Sequence, residues 1–270
     1  MKNKSKILFL LFYILFINCN QSNTDSQKIE VLFNNAEYDE VIKNCNEILA
    51  KIKSKEALTY RGKSNHKLGR YKEAFNDFYY LYNDIGDTSI ETFEGLGLSS
   101  LNLDQFDYAY HIFEKLTQKD KSNSKNYFYL AIICIKTKKP SEAIQFIDDA
   151  LVIEPNNTKY LNNKGLLLEE TGRYREAVTC FSKIIENGNP QDTFYFNRAV
   201  NYSHLKMFDS SIIDLSKAIF MNSQNGFFYY NRAIVYMYNN EKQKACLDLR
   251  DAKSLGHLVI DEEIANYCNQ

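Results

Sequence analysis

The sequence predicts an all-α fold, an α-solenoid of seven helix–turn–helix repeats closed by a C-terminal capping helix, on three observations. The chain resembles itself at a period of 34 residues. Each period carries small residues at two fixed positions and a bulky one at a third. Helix breakers are scarce, with only 3 Pro and 10 Gly in 270 residues, so one element type dominates.

The period is anchored on a small residue that ends segments such as Arg70-Tyr71-Lys72-Glu73-Ala74, Lys139-Pro140-Ser141-Glu142-Ala143 and Arg173-Tyr174-Arg175-Glu176-Ala177. The full series is Val41, Ala74, Ala109, Ala143, Ala177, Ser211 and Ala245, with spacings of 33, 35, 34, 34, 34 and 34. Twelve residues earlier runs Ile29, Gly62, Gly97, Ala131, Gly165, Ala199 and Ala233. Four residues later runs Cys45, Phe78, Phe113, Ile147, Phe181, Leu215 and Leu249. Two antiparallel helices that cross closely need a small residue on each at the crossing and a bulky one beside it. A single hairpin cannot bury its apolar face, so the hairpins must stack.

The frames of the seven repeats over 22–259 are 22–54, 55–89, 90–123, 124–157, 158–191, 192–225 and 226–259. Ile29 and Val41 stand where small residues belong, which predicts a loosely packed first repeat. Pro140 falls on the first turn of a second helix, where a missing N–H costs nothing, and Pro155 ends that helix. Beyond the last frame, Ile260, Ile264, Tyr267 and Cys268 lie at helical spacing, so 260–270 reads as a cap over the open end of repeat seven.

At these positions the chain resembles the tetratricopeptide repeat family. Leu96-Gly97, Ala143, Ala150 and Pro155 sit at its diagnostic positions and Gly172-Arg173-Tyr174 at its inter-helix turn. The resemblance implies a concave groove lined by the first helix of each repeat and a role in holding other proteins. In some members a Lys/Asn/Arg clamp across three repeats takes a chaperone's C-terminal carboxylate. No three consecutive repeats here supply that clamp.

The N-terminus reads as a targeting segment. Lys2, Lys4 and Lys6 precede an apolar run of eleven residues, Ile7 to Ile17. A helix of that length rises about 16 Å, too little for a bilayer core of roughly 30 Å. With Cys19 directly after Asn18, residues 1–18 resemble a bacterial lipoprotein signal, whose cysteine becomes the lipid-bearing first residue. Phe16 and Asn18 depart from that family's usual Leu and Gly, Ala or Ser; ordinary cleavage nearby and an uncleaved anchor are the alternatives. Residues 19–27 form the lipidated cysteine and a polar tether. Cleavage removes the three lysines and takes the net charge from −1 to −4.

Chemistry is hard to find in this sequence. With 33 basic against 34 acidic residues there is no basic surplus for a nucleic-acid backbone. No phosphate loop, nucleophile elbow or metal-type histidine pair occurs, and His66, His111, His204 and His257 are scattered over different repeats. The expectation is therefore no enzyme, no cofactor, no metal and no small-molecule substrate. Cys45, Cys134, Cys180 and Cys246 fall on packing columns and read as buried single thiols. In an oxidising envelope a bridge such as Cys246 to Cys268 is the alternative.

The internal copies show one paired substitution. Position 7 is Arg61, Arg198 and Arg232 in repeats two, six and seven, where position 23 is Asp77, Asp214 and Asp248. Repeats three and four hold apolar pairs instead, Leu96 with Ile112 and Leu130 with Phe146. Joint change implies contact within each repeat, so these arginines read as structural. Repeat five, Lys164 with Cys180, follows neither pattern.

What remains for binding is the inner wall of repeats five to seven. Its candidate residues are Phe196, Val200, Phe227, Tyr230, Ile234, Met237 and Tyr238, beside one asparagine column, Asn163, Asn197 and Asn231. Aromatic rings give large contact area at low entropy cost, and an asparagine amide can both donate to and accept from a peptide unit. The sequence thus reads as a protein-interaction scaffold of the bacterial cell envelope, anchored to the membrane by lipid. A permanent structural subunit of an outer-membrane assembly or secretion complex is the alternative.

Overall fold

The computed structural model describes residues 26–188, 190–257 and 268. Over these residues it contains fourteen α-helices and no strand. The signal segment, Cys19 and the start of the tether lie outside the described residues, as does the expected capping helix apart from Cys268.

The chain divides into two compact units, Met1–Lys121 and Ser122–Gln270. The first holds α1 (26–34), α2 (Tyr38–Leu49), α3 (Lys55–Lys67), α4 (Tyr71–Asn83), α5 (Ile90–Asn102) and α6 (Phe106–Lys119). The second holds α7 (Ser124–Lys136), α8 (Pro140–Ile153), α9 (Thr158–Glu170), α10 (Tyr174–Glu186), α11 (Asp192–His204), α12 (Phe208–Met221), α13 (Gly226–Tyr238) and α14 (Lys242–Ser254). Within each unit consecutive helices pack against one another. Alternate first helices also touch, α3 with α5 in the first unit and α9 with α11 in the second, so within each unit these first helices lie side by side.

The helix boundaries have local causes. Ser54, Ser89, Asn123, Asn157 and Asn225 cap first helices, each accepting a backbone N–H of the opening turn. The second helices α2, α4, α6, α8, α10, α12 and α14 have no side-chain cap. They follow directly from a left-handed turn residue at position 15 of every repeat: Ala36, Gly69, Asp104, Lys138, Gly172, Lys206 and Asn240. The next residue's N–H closes back on the preceding helix, as Arg173 N does on Leu168 O at 2.8 Å. Glycine adopts this conformation freely at Gly69 and Gly172, whereas the other five hold φ between 55° and 62° against their own Cβ.

The small and bulky columns are coupled. Gly165 lies under Phe181, and a Cβ there would stand 2.7 Å from the ring. Gly62 with Phe78 and Gly97 with Phe113 repeat the arrangement. Where the bulky residue is smaller, Ile147, Leu215 or Leu249, the glycine becomes Ala131, Ala199 or Ala233. The filled volume stays nearly constant while its division between the two helices changes.

Repeat one takes this exchange furthest and corrects the expectation of a loose end. Ile29 and Val41 are 2 % and 0 % exposed and pack with Cys45 and Ala57. Cys45 replaces the phenylalanine of other repeats, and the space so released holds the larger Ile29. Burial pushes the Cys45 thiol up to about 12 and that of Cys180 to about 11, so both are inert packing groups. Cys246 departs from this pattern: it is bonded to Cys268, tying α14 to the C-terminal segment. The reading of Cys246 as a single thiol therefore fails. It is only half-buried, which leaves its sulfur open to a partner.

Candidate functional site

The paired columns come together within each hairpin. Arg198 Nε and Nη2 donate to Asp214 Oδ2 and Oδ1 at 2.7 and 2.8 Å. Arg232 meets Asp248 at the same distances. Arg61 Nε donates to Asp77 Oδ2 at 3.0 Å and its Nη2 to Oδ1 at 2.5 Å. In repeat one Lys28 donates to Asn44, also sixteen residues on.

A third partner was not visible within a single repeat. The remaining guanidinium nitrogen reaches back to position 25 of the preceding repeat: Arg61 to Asn46 at 2.6 Å, Arg198 to Ser182 at 3.0 Å and Arg232 to Ser216 at 2.9 Å. This explains repeat five. Lys164 has no acid at Cys180, so it turns to Asp148 of repeat four at 2.6 Å. Tyr195 and Tyr202 flank Arg198 at 5.8 Å, and Tyr229 and Tyr236 flank Arg232 at 5.7 and 5.8 Å. With two carboxylate bonds, one cross-repeat bond and two rings, these arginines join repeats to one another.

The ten candidate groove residues lie on α9, α11 and α13, and the structure gives them different surroundings. Phe196 is built into the packing: its ring lies 5.2 Å from Phe227 and 5.4 Å from Phe228, and it borders two core clusters. Phe227 and Tyr230 face His257, with ring centroids 5.8 and 4.6 Å away; Phe227 remains 44 % exposed. Val200, Asn231, Ile234 and Tyr238 line a cavity of about 400 Å³. Met237 is half-buried and does not line it.

The cavity lies between repeats six and seven. Ser211, Leu215 and Val235, all buried, form its floor. Phe208 and Tyr238 form one wall, stacked at 6.0 Å with 10° between their planes. Ser203, His204 and Lys206 complete the lining. Tyr238 is 65 % exposed, so this wall opens to solvent.

The asparagine column is less versatile than its chemistry alone implied. Asn163 Nδ2 donates to Lys159 O at 2.8 Å, and Asn231 Nδ2 to Phe227 O at 2.7 Å. One amide N–H of each is held by its own helix, which fixes the side chain and leaves Oδ1 to accept from outside. Asn197 makes no such bond; its carbonyl accepts from Asn201, which also donates to Glu169 of repeat five at 2.6 Å. Among the described residues no group of three or more His, Cys, Asp or Glu could hold a metal ion.

Comparison with known proteins agrees on the repeat type. The coatomer epsilon subunit family model matches residues 96–212, less than half of the chain. The chain is 27 % identical over 116 residues to a TPR repeat-containing protein, MJ1428, of Methanocaldococcus jannaschii; the match spans 42 % of this chain and 20 % of that protein. It is 37 % identical over 62 residues to a small glutamine-rich tetratricopeptide repeat-containing protein of Dictyostelium discoideum, spanning 23 % of this chain and 19 % of that one. The chain thus matches about a fifth of the length of these curated relatives. Among solved structures, the C-terminal part of a TPR repeat-containing protein from Cytophaga hutchinsonii superposes with a TM-score of 0.78 at 18 % identity, covering 90 % of this chain and 98 % of that one. A tetratricopeptide repeat protein from Parabacteroides merdae gives 0.61 at 17 % identity, covering 92 % and 97 %. At these identities the likeness is one of fold.

Proposed function

We infer that this chain of tetratricopeptide-type repeats is a non-catalytic scaffold of the bacterial cell envelope that holds a segment of another protein on α11 and α13. The observation that carries this reading is the half-open apolar cavity between repeats six and seven, continued by the exposed Phe227 ring. A concave, mostly apolar site with a few polar groups is the ordinary form of a binding site. Energy in such interfaces concentrates in a few aromatic anchors. The test is capture of partners by the lipidated chain from its own membranes, compared with a Phe227→Ala, Tyr238→Ala variant. The variant, with both rings already open to water, keeps its helical content and loses capture. Undiminished capture of every partner would remove this wall from consideration.

Anchoring rests on Cys19. Cys19→Ser is expected to move the protein from the membrane to the soluble fraction. Persistent membrane association would favour an uncleaved anchor or a membrane-bound partner. The alternative of a permanent assembly subunit is favoured by one feature: α12 turns Ile213 and Phe220, seven residues apart, to solvent at 60 % and 85 % exposure. A permanent subunit would stay bound through high-salt washing and lose its partner on Phe220→Asp.

A further inference from the structure

The cavity between repeats six and seven adjoins one of the coupled pairs. Leu215 of that pair lies at its floor with Val235, and Val200 and Ile234 lie at its sides. Its volume, about 400 Å³, falls in the range of ligand sites, roughly 300–1,000 Å³, and exceeds what a packing defect leaves.

The charge around it is one-sided. Lys206 lines the cavity and, among the described residues, makes no ion pair or hydrogen bond through its side chain. His204 lines it too, held face to face on Tyr174 at 4.3 Å. No carboxylate lines it. Of the acids on the neighbouring turns, Glu241 pairs with Lys244 and accepts from Asn239, and Asp209 accepts from Asn239 at 3.5 Å; neither lines the cavity. The fixed Asn231 presents its Oδ1 at the edge, an acceptor for a backbone N–H. The site therefore offers an apolar hole, a cation outside any ion pair and an acceptor.

We propose that the cavity seats one large apolar side chain, aromatic or branched, from an acidic segment of the partner protein, whose carboxylate pairs with Lys206. This rests on the scaffold reading above and adds to it the chemistry of the bound segment. Burial of the anchor supplies affinity, and Lys206 selects the charge of its neighbours.

The experiment uses an array of short peptides whose central residue is Ala, Leu, Phe or Trp, each in acidic, neutral and basic flanks. Binding of the full chain is then quantified by fluorescence polarisation. Peptides with a central Phe, Trp or Leu in acidic flanks are expected to bind about ten-fold or more tighter than the central-Ala peptide. They should also exceed their basic-flanked counterparts, by a margin that shrinks with salt. Equal binding of the Ala peptide, or preference for basic flanks, overturns the proposal.

The cavity is filled by Val200→Trp, at a half-buried position on its side. It should unfold at or near the wild-type temperature and lose the preference for a bulky central residue. Lys206→Glu should reverse the flank preference and leave the bulky-residue preference intact. A filled cavity that still distinguishes Phe from Ala refutes the site. Partner capture from native membranes separates the two readings. If the filled variant captures partners as the wild type does, the cavity proposal fails and the scaffold stands; if the wild type captures nothing, the scaffold reading itself fails.

Discussion

Replacing Arg198 and Asp214 one at a time and together measures what the buried ion pair contributes. Asp214 is 5 % exposed and Arg198 17 %, measured over their side chains, so either charge left alone is held out of water. Removing one partner of such a buried pair costs about 3–5 kcal/mol, and replacing both by packed apolar residues is often neutral or stabilising. The chain itself contains the replacement: Leu96 and Ile112 occupy the same two positions in repeat three, both buried. Arg198→Leu also leaves the Ser182 hydroxyl without its donor, a loss of about 0.5–1.5 kcal/mol. That group is half-buried and can turn to water, so the lower figure applies. The expected outcome is about 3 kcal/mol lost in Asp214→Ile, a similar loss in Arg198→Leu, and within about 1 kcal/mol of wild type for the double. The coupling energy is then about 4 kcal/mol or more, read from urea unfolding of the four proteins by circular dichroism. Additive losses, with coupling under about 0.5 kcal/mol, would refute the argument.

Three further outcomes follow from the geometry. Leu215→Phe alone should destabilise by about 1–3 kcal/mol, because its ring meets the Ala199 Cβ, and Ala199→Gly should restore most of the loss; a single variant as stable as the double would contradict the coupling of these columns. Lys138→Gly and Ala36→Gly should each stabilise by about 0.5–1 kcal/mol, and Gly172→Ala should destabilise by about 1 kcal/mol, since all three occupy left-handed turns. Burial raises the Asp87 carboxyl, but hydrogen bonds from Thr92, Lys55 and Ser89 outweigh it and hold the group at about 2. Its folded value lies below its unfolded one, so the contribution is complete above about pH 4 and fades as pH falls toward 2; about 2 kcal/mol should vanish there in wild type and not in Asp87→Asn.

Much of the architecture was legible because period and packing report the same thing. Lys55, Ile90, Ser124, Thr158, Asp192 and Gly226, which open the frames, also open helices. The cross-repeat bonds of Arg198 and Arg232 escaped because copies compared within one frame cannot reveal a partner in the frame before. Ser182 and Ser216 are also ordinary surface residue types. The left-handed turns escaped because only Gly69 and Gly172 carry the usual residue at that position. The candidate groove was legible as a region but not as a site. Phe196 and Tyr238 have the same aromatic character in the sequence, and only neighbours in space half-bury one and expose the other. A cavity is harder still, since it is space between side chains of two repeats and no residue type marks it. Cys246 was misread because its column is half-buried in this repeat, where a packing column was expected to be closed.

The matched pairs of glycine with phenylalanine and alanine with leucine bear on how such a chain can be rearranged by duplication or exchange. A crossover in the turn of a hairpin, joining the first helix of repeat six to the second helix of repeat five, would set Ala199 under Phe181. Its Cβ would then take the place that lies 2.7 Å from the ring in Gly165's case. The reverse crossover, Gly165 with Leu215, would leave a void on the other side. A crossover between hairpins keeps every such pair intact and meets instead the contacts between repeats, the bond from position 7 to position 25 and ring pairs such as Tyr174 with His204. Exchange is therefore tolerated in whole hairpins, and the unit of inheritance in this array is the hairpin and not the helix.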